Sequence, residues 1–413
     1  MKIAFIFWQL NLKGGAPKQF LRLARGFVEK GYEVEVYCVF FEKNNTYKEL
    51  IGDLKIKYLL YKSRKDQDEF YKCSFLRAVP IINRILNIFR SIYLENKLAK
   101  QLAFLIDKNV DILNPHDLSA FKVAYYFKKY IKNIPSVYIC NDVPSYRFNF
   151  ERWEKKPNII KRFLAFVLDF YNKKFLAIQD VIIVLDHWNE TGLRKYFGLP
   201  SVIIRPGITI PTIKREKKSI DKNSTVNLLV VSVLDAPHRR TEDAIKALRI
   251  ILDNGYKAQL TIAGSFVNPE YVKFLHETVK KLNLSDFVKF LGSISEEELL
   301  YVYKNSDIFI FPNHNQTWGL VVFEALSIGV PVVLSKTTGA AEVLEDGINC
   351  IKVNPKTPDE IAEAVINLIN DEKLYINLSK EGKKFVEESL SWSRYLNEVE
   401  QIFVNLLKKG MKK

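Results

Sequence analysis

Residues 3–40 read IAFIFWQLNLKGGAPKQFLRLARGFVEKGYEVEVYCVF, and this stretch decides the fold. IAFIF (3–7) is an aromatic and β-branched run of the kind that forms a buried strand. A loop with Gly14 and Gly15 follows, and LRLARGFVEKG then carries apolar residues at helical spacing. Gly31 suits the left-handed position just past a helix end, where a side chain would be strained. YEVEVYCVF alternates as a second strand. A strand, a helix and a strand joined by a crossover of this length predict a right-handed βαβ unit with parallel strands.

The same alternation continues outward. Strand signals recur at DILN (111–114), SVYIC (136–140), VIIVL (181–185) and SVIIR (201–205), with helical stretches between them. PGITIPTIKREKKSIDKNST (206–225) interrupts the series with two prolines, a charge run and polar residues, and reads as a linker. A second series follows: NLLVVSVL (227–234), AQLTIAG (258–264), DFVKFLG (286–292), DIFIFP (307–312), VPVVLS (330–335) and INCIKV (348–353). Amphipathic helices run from 358 to a basic tail, KKGMKK. The expected class is α/β: two Rossmann-like domains, with ligands held in a cleft at the carboxyl ends of parallel strands.

Composition narrows the function. The 413 residues carry a formal charge of +15, with hydrophobic content (48%) and charged content (26%) ordinary for a globular chain. Lysine is spread over nearly every segment, which reads first as solvated faces and second as attraction to an anionic membrane. It forms no compact nucleic-acid footprint. Cys38, Cys73, Cys140 and Cys350 lie far apart without zinc spacing, which fits buried thiols in a reducing cytoplasm. The N-terminal apolar run lacks a small-residue cleavage site and reads as a strand. The most apolar region, 158–185, is interrupted by Lys161, Arg162, Asp169, Lys173, Lys174 and Asp180, so no membrane span is expected. Residues 75–107 and 158–176 interleave bulky apolar residues with Arg and Lys. Packing within the first domain is the plain reading of both; a helix lying in a membrane interface is the other. The expected location is cytoplasmic, with peripheral attachment to the membrane's cytoplasmic face as an extension.

Several residues stand where an α/β site would place them. Gly14-Gly15 precedes a helix whose amides can approach a phosphate. His116 and Asp142 follow successive strand signals, in DILNPHD and CNDVP. In DAPHRRTEDAIKAL, Arg239 and Arg240 sit at a strand-to-helix junction suited to a diphosphate; the alternative is salt bridging to Glu242 or Asp243. In NQTWGLVVFEALSIGVPVV (315–333), Gln316 falls in a strand-end loop and Glu324 one to two turns into the next helix. A carboxylate suits the vicinal diol of a ribose, and an amide suits sugar hydroxyls. KTTGAAEVLEDG brings Glu342 toward the same cleft. The chain has no GxGxxG, Walker lysine, nucleophile elbow or HExxH.

Taken in order, these motifs resemble the family-4, or group 1, retaining glycosyltransferases of the GT-B fold over nearly the whole chain. GGAPKQFLRLARGFVEKGYEVEVY is similar to the family's Gly-Gly loop, helix and Gly-His-x-Val strand. PHRRTEDAIKAL resembles its phosphate-binding lysine region, with Arg239 at the lysine position. PNHNQTWGLVVFEALSIGVPVVLSKTTGAAEVLEDG resembles its E-x7-E region and Gly-rich loop, and Trp392 matches the tryptophan of a C-terminal helix that returns to the first domain. The resemblance implies domains at 1–205 (with a helix of about 392–413) and 226–391, joined by 206–225.

The resemblance also implies roles. Glu324 binds the nucleotide ribose, and Gln316 touches the donor sugar. Arg239, with Arg240, neutralises the diphosphate. Gly319 and Leu320 bind the donor at the helix start, Gly14 and Gly15 close over phosphates and acceptor, and His116 acts near the transferred sugar. The implied donor is a UDP- or GDP-linked sugar, the acceptor a glycan or lipid-linked carrier, and neither metal nor cofactor takes part. Transfer would retain the anomeric configuration by a front-face route without a protein nucleophile. Three departures stand out: Gln316 replaces the first Glu, Arg239 the Lys, and Val233 an Arg. They keep two other readings open, a non-catalytic nucleotide-sugar-binding protein and another GT-B activity such as an epimerase.

Overall fold

The computed structural model describes residues 1–11, 13–61, 80–117, 119–152, 154–209, 211, 215, 219–220, 223–235, 237–316 and 318–410. Cys73, residues 75–79 of the first amphipathic stretch, most of 211–222 and the tail's last three residues lie outside them. The chain forms two compact units, Met1–Arg205 with Leu396–Lys413, and Pro206–Tyr395.

The first unit holds β1 (Lys2–Leu10), β2 (Glu33–Phe41), β3 (Lys55–Tyr61), β4 (Ile112–His116), β5 (Val137–Cys140), β6 (Val181–Val184) and β7 (Val202–Ile203). They pair in the order β3-β2-β1-β4-β5-β6-β7, and every pairing is parallel. Its helices are α1 (Gly15–Glu29), α2 (Lys48–Ile51), α3 (Pro80–Leu105), α4 (Ala120–Tyr130), α5 (Tyr146–Arg152), α6 (Ile159–Leu176) and α7 (His187–Phe197). Ile3 to Phe7 are buried because helices cover both faces of the central strand. The opening βαβ unit is therefore formed, with β1 and β2 in parallel register from Lys2–Glu33 onward.

Two features of this sheet escaped the sequence reading. β3 was not anticipated: KIKYLLY places Lys55 and Lys57 on an edge strand, where charge discourages pairing with other chains. Lys57 reaches the Glu35 carboxylate across the strand pair at 2.8 Å. β4 also runs past the expected stop at 114, through Pro115 to His116. His116 is thus the last strand residue and not a loop residue.

The second unit repeats the topology with β8 (Val226–Val231), β9 (Ala258–Ala263), β10 (Val288–Gly292), β11 (Ile308–Phe311), β12 (Val332–Ser335) and β13 (Ile351–Val353), ordered β10-β9-β8-β11-β12-β13. Its helices are α8 (Thr241–Asp253), α9 (Pro269–Lys281), α10 (Glu296–Asn305), α11 (Leu320–Ile328), α12 (Pro358–Asn370) and α13 (Glu372–Ser389); α14 (Trp392–Gly410) closes the chain. In both sheets the strand order reverses beside the first strand, between β1 and β4 and between β8 and β11. Chain crossovers diverge there and leave a crevice at the carboxyl ends.

From Leu396 onward α14 packs on the first unit: Phe403 stacks on Phe27 at 5.1 Å, and Tyr32 donates to Glu400 at 2.7 Å. The segment expected as a linker is anchored to the second unit at two described points. At Gly207 a Cβ would lie 2.7 Å from the Trp392 Cα, so only glycine fits. Arg215 donates to the Gly329 carbonyl (2.7 Å), the Ser306 carbonyl (2.7 Å) and the Tyr375 hydroxyl (2.9 Å). Arg215→Ala would strand those buried acceptors and is expected to cost about 2–3 kcal/mol. Urea unfolding should show a lower midpoint at unchanged m-value, with Arg215→Lys recovering only part of the loss.

Helix α6 differs from the plain packing reading. Ala165, Leu168, Asp169, Phe175 and Leu176 are buried against the unit, with Asp169 accepting from Ser145 Oγ and Arg147 Nε. Yet Ile159, Ile160, Phe163, Phe166, Val167 and Phe170 are exposed. Packing within the domain accounts for one apolar face of this helix and leaves a second one open. Among the described residues, no helix is long and apolar enough to cross a membrane.

Candidate functional site

In the second unit, the segment from β11 into α11 is built around Gly319. Its φ of +79° is left-handed, and a Cβ there would lie 2.9 Å from the Phe311 ring. Both constraints demand glycine. Gly319 is also the N-cap of α11 and supplies no capping side chain; Val322 N–H turns back to the Gly319 carbonyl at 3.0 Å, and the Leu320 and Val321 amides at the helix start have no capping acceptor among the described residues.

Glu324 lies in the second turn of α11, half-buried. The Tyr303 hydroxyl, from α10, donates to Glu324 Oε2 and to the Val321 carbonyl, both at 3.3 Å. Burial pushes the Tyr303 phenol far above its ordinary value, so it stays protonated and serves as a fixed donor to the carboxylate. Tyr303 was missed in the sequence because a Tyr on the inner face of an amphipathic helix looks like any core aromatic.

Gln316 and Arg239 meet although 77 positions separate them: Arg239 Nη1 donates to Gln316 Oε1 at 3.1 Å. The Gln316 main chain bridges to Thr338, its carbonyl accepting from the Gly339 N–H at 2.9 Å. Arg239 ends the short 3-10 turn Pro237–Arg239 after β8 and forks onto Asp235, with Nε and Nη2 at 2.8 and 3.0 Å from its two oxygens. Burial works to raise the Asp235 carboxyl, but Arg239 outweighs it and holds the group below the ordinary carboxylate range. A main-chain bond from His314 N–H to the His238 carbonyl (2.8 Å) ties the two loops together.

Arg240 departs from the expected diphosphate role. It forks onto Asp243 with two 2.7 Å bonds and reaches Glu242 at 3.0 Å. These acids open α8 and are buried, so each needs a countercharge, and the left-handed backbone at Arg240 (φ +51°) turns its side chain to supply one. Asn313, just past β11, was passed over in the sequence: it is fully buried, and neither amide atom has a hydrogen-bond partner among the described residues. Nothing in the run NHN distinguishes it from an ordinary loop asparagine. Glu342 is exposed at the end of a short 3-10 turn.

In the first unit, Gly14 is the N-cap of α1 without a capping side chain, and Gly15 begins the helix. The Gly14 N–H donates to the Tyr47 hydroxyl at 3.1 Å. His116 ends β4 beside Phe7 of β1, so the glycine loop and the histidine share one switch point. Its ring lies buried between Phe5 and Phe20, centroids 5.8 and 4.8 Å away, with Nε2 2.6 Å from Asn114 Oδ1. Desolvation pushes the imidazole pKa down to about 3, so the ring is neutral at pH 7. Asp142 is held by Arg152 at 2.6 Å. Among the described residues, no group of three His, Cys, Asp or Glu side chains is placed to hold a metal ion.

Comparison with known proteins follows the same division. Residues 13–210 match the model of Glycosyltransferase Family 4, and residues 212–385 that of Glycosyl transferases group 1. An uncharacterized glycosyltransferase of Methanocaldococcus jannaschii is 32% identical over 162 residues, 39% of this chain and 40% of that protein. The capsular polysaccharide biosynthesis glycosyltransferase CapM of Staphylococcus aureus is 28% identical over 174 residues, 41% of this chain and 43% of CapM. The chain thus spans well under half the length of the curated relatives it matches. Among solved structures, Anabaena HepE in complex with UDP and glucose superimposes with a TM-score of 0.73 at 18% identity. That match covers 98% of this chain and 99% of HepE, and shows the GT-B fold.

Proposed function

Since this chain belongs to the group 1 glycosyltransferases of the GT-B fold, we propose that it transfers a sugar from a nucleotide-sugar donor to a glycan or lipid-linked acceptor, with retention of anomeric configuration and without a metal. The observation that carries the proposal is the junction of Arg239, Gln316 and the uncapped start of α11 at the β8/β11 switch point, with Glu324 one turn further along.

As the bond from sugar to diphosphate breaks, negative charge gathers on the leaving oxygen. Arg239 and the α11 amides at Leu320 and Val321 are fixed donors for that charge and need no reorganisation when it develops. Glu324, held by Tyr303, accepts from the ribose hydroxyls, while Gln316 offers an N–H donor to the sugar. Gly14 and Gly15 admit the acceptor side close to the backbone, and neutral His116 serves the transferred sugar. The UDP in the HepE complex supports UDP as donor nucleotide, and CapM's role in capsular polysaccharide supports a glycan-type acceptor. The same reading sets the chain at the cytoplasmic face of an anionic membrane.

Titration calorimetry tests the donor site. The protein is expected to bind UDP or GDP, and Glu324→Ala to weaken that binding about tenfold or more by removing a charged acceptor. Binding of neither nucleotide would overturn the assignment.

A further inference from the structure

Helix α6 has two apolar faces on opposite sides. One packs into the unit; the other carries Ile159, Ile160, Phe163, Phe166, Val167 and Phe170, each between 42% and 82% exposed. Their spacing keeps them on one stripe about three turns long. Isolated exposed apolar residues are commonplace, but a continuous stripe of six on one helix marks a contact surface.

Charge identifies what the stripe contacts. Residues 154–174 hold six basic side chains (Lys155, Lys156, Lys161, Arg162, Lys173 and Lys174) against two acids, Glu154 and Asp169. Asp169 is buried and bonded to Ser145 and Arg147, so it contributes nothing to the outer surface. Lys155 and Lys156 stand just before the helix, while Lys173 and Lys174 extend the stripe at its far end; all four are exposed. A groove of about 820 Å³ beside the first turns is lined by Lys155, Lys156, Ile159, Arg162, Phe163 and Phe166, among others. Arg147, whose charge is balanced by Asp169, lies over the Phe166 ring at 5.2 Å at that edge.

We propose that this face of α6 is a docking surface for an anionic lipid bilayer. The helix lies in the interface plane, its Phe and Ile side chains enter the headgroup–acyl boundary, and the flanking Lys and Arg meet lipid phosphates. At 18 residues with charges at both ends, α6 lies on a bilayer and does not span it. The inference deepens the membrane-proximal part of the proposed function and does not depend on the donor or on turnover.

The full chain would be sedimented with vesicles of phosphatidylcholine containing about 30% phosphatidylglycerol, and with vesicles of phosphatidylcholine alone. Binding is expected to the anionic vesicles and to fall steeply with added salt. The double variant Phe163→Asp/Phe170→Asp should reduce it on the order of tenfold or more while keeping the wild-type melting temperature, because both side chains are solvent-exposed. Lys155→Glu/Lys156→Glu should weaken binding to anionic vesicles selectively. Equal binding by wild type and the Phe variant would overturn the proposal. So would a concentration-dependent dimer in solution that the Phe variant abolishes, since a second copy would then cover the face. Transfer to a soluble acceptor without vesicle binding would remove the docking surface and leave the transfer reading intact. Vesicle binding without nucleotide binding would do the reverse.

Discussion

Arg239→Ala is expected to lower kcat about 10²–10³-fold while changing the KM for the nucleotide sugar much less, because in the proposed reaction its guanidinium would act on charge that develops only as the leaving diphosphate departs. The geometry makes this a demanding prediction. Arg239 is already forked onto Asp235 through Nε and Nη2, and only Nη1 reaches toward Gln316. Asp235 therefore acts as a positioning residue that orients the fork. Asp235→Asn should keep one hydrogen bond, remove the competing negative charge and cost far less than loss of the arginine. Steady-state kinetics on the three proteins, with circular dichroism to verify folding, would decide the matter. Unchanged turnover in Arg239→Ala would end the phosphate role.

The same cluster explains why an amide at 316 suits this chain. A glutamate there would face Arg239 across the present 3.1 Å contact, and the single guanidinium would then answer two carboxylates. Paired Asp and Glu would leave the site with net negative charge where the diphosphate of the proposed donor would bind. With Gln316 the cluster of Arg239, Asp235 and the amide is neutral, and the α11 amides tip it toward anion binding. Val233, just past β8, brings no charge of its own to offset an extra carboxylate.

Much of this arrangement was legible in the sequence, for a physical reason. Strands buried on both faces must be apolar runs, and crossovers between parallel strands need helices, so IAFIF, DIFIFP and their neighbours announce two parallel sheets. Failures occurred where local pattern and tertiary role diverge. Edge strand β3 looks polar because an edge needs lysines, and β4 runs through a proline that normally signals a strand's end. The loop–helix placement of Gln316 and Glu324 followed from local signals. Their partners did not: Arg239 lies 77 residues from Gln316 and Tyr303 lies 21 from Glu324, distances that only sheet order closes. Arg240 shows the converse. Two adjacent arginines look alike in sequence, but buried Asp243 and Glu242 claim one of them. The outer stripe of α6 was visible as composition; that it stays uncovered is a fact of packing alone.

His116 sets the second large effect, on stability against acid. Asn114 Nδ2 donates to the Val137 carbonyl at 2.7 Å, which fixes its Oδ1 toward the imidazole. His116 Nε2 therefore carries the proton and donates, leaving Nδ1 as an acceptor. Charging this ring among Phe5 and Phe20 is unfavourable, and desolvation holds its pKa near 3 against an ordinary 6.5. The unfolded chain thus binds this proton more readily than the folded one. The resulting stability is fully present above about pH 6.5 and is lost as pH falls toward 3. For a group this deeply buried the loss is on the order of 3–5 kcal/mol across that window. His116→Gln keeps a side-chain amide that can donate to Asn114 and cannot titrate, so its stability should fall less steeply from pH 6.5 to 4. Carboxylates elsewhere contribute equally to both proteins, and the difference in slope between their urea midpoints isolates the histidine. Parallel pH profiles for the two would mean that water reaches the ring and that His116 titrates near its ordinary value. A clear separation would mark a neutral imidazole held in one tautomer at the switch point of the first sheet, the state a hydrogen-bonding role toward a sugar hydroxyl requires.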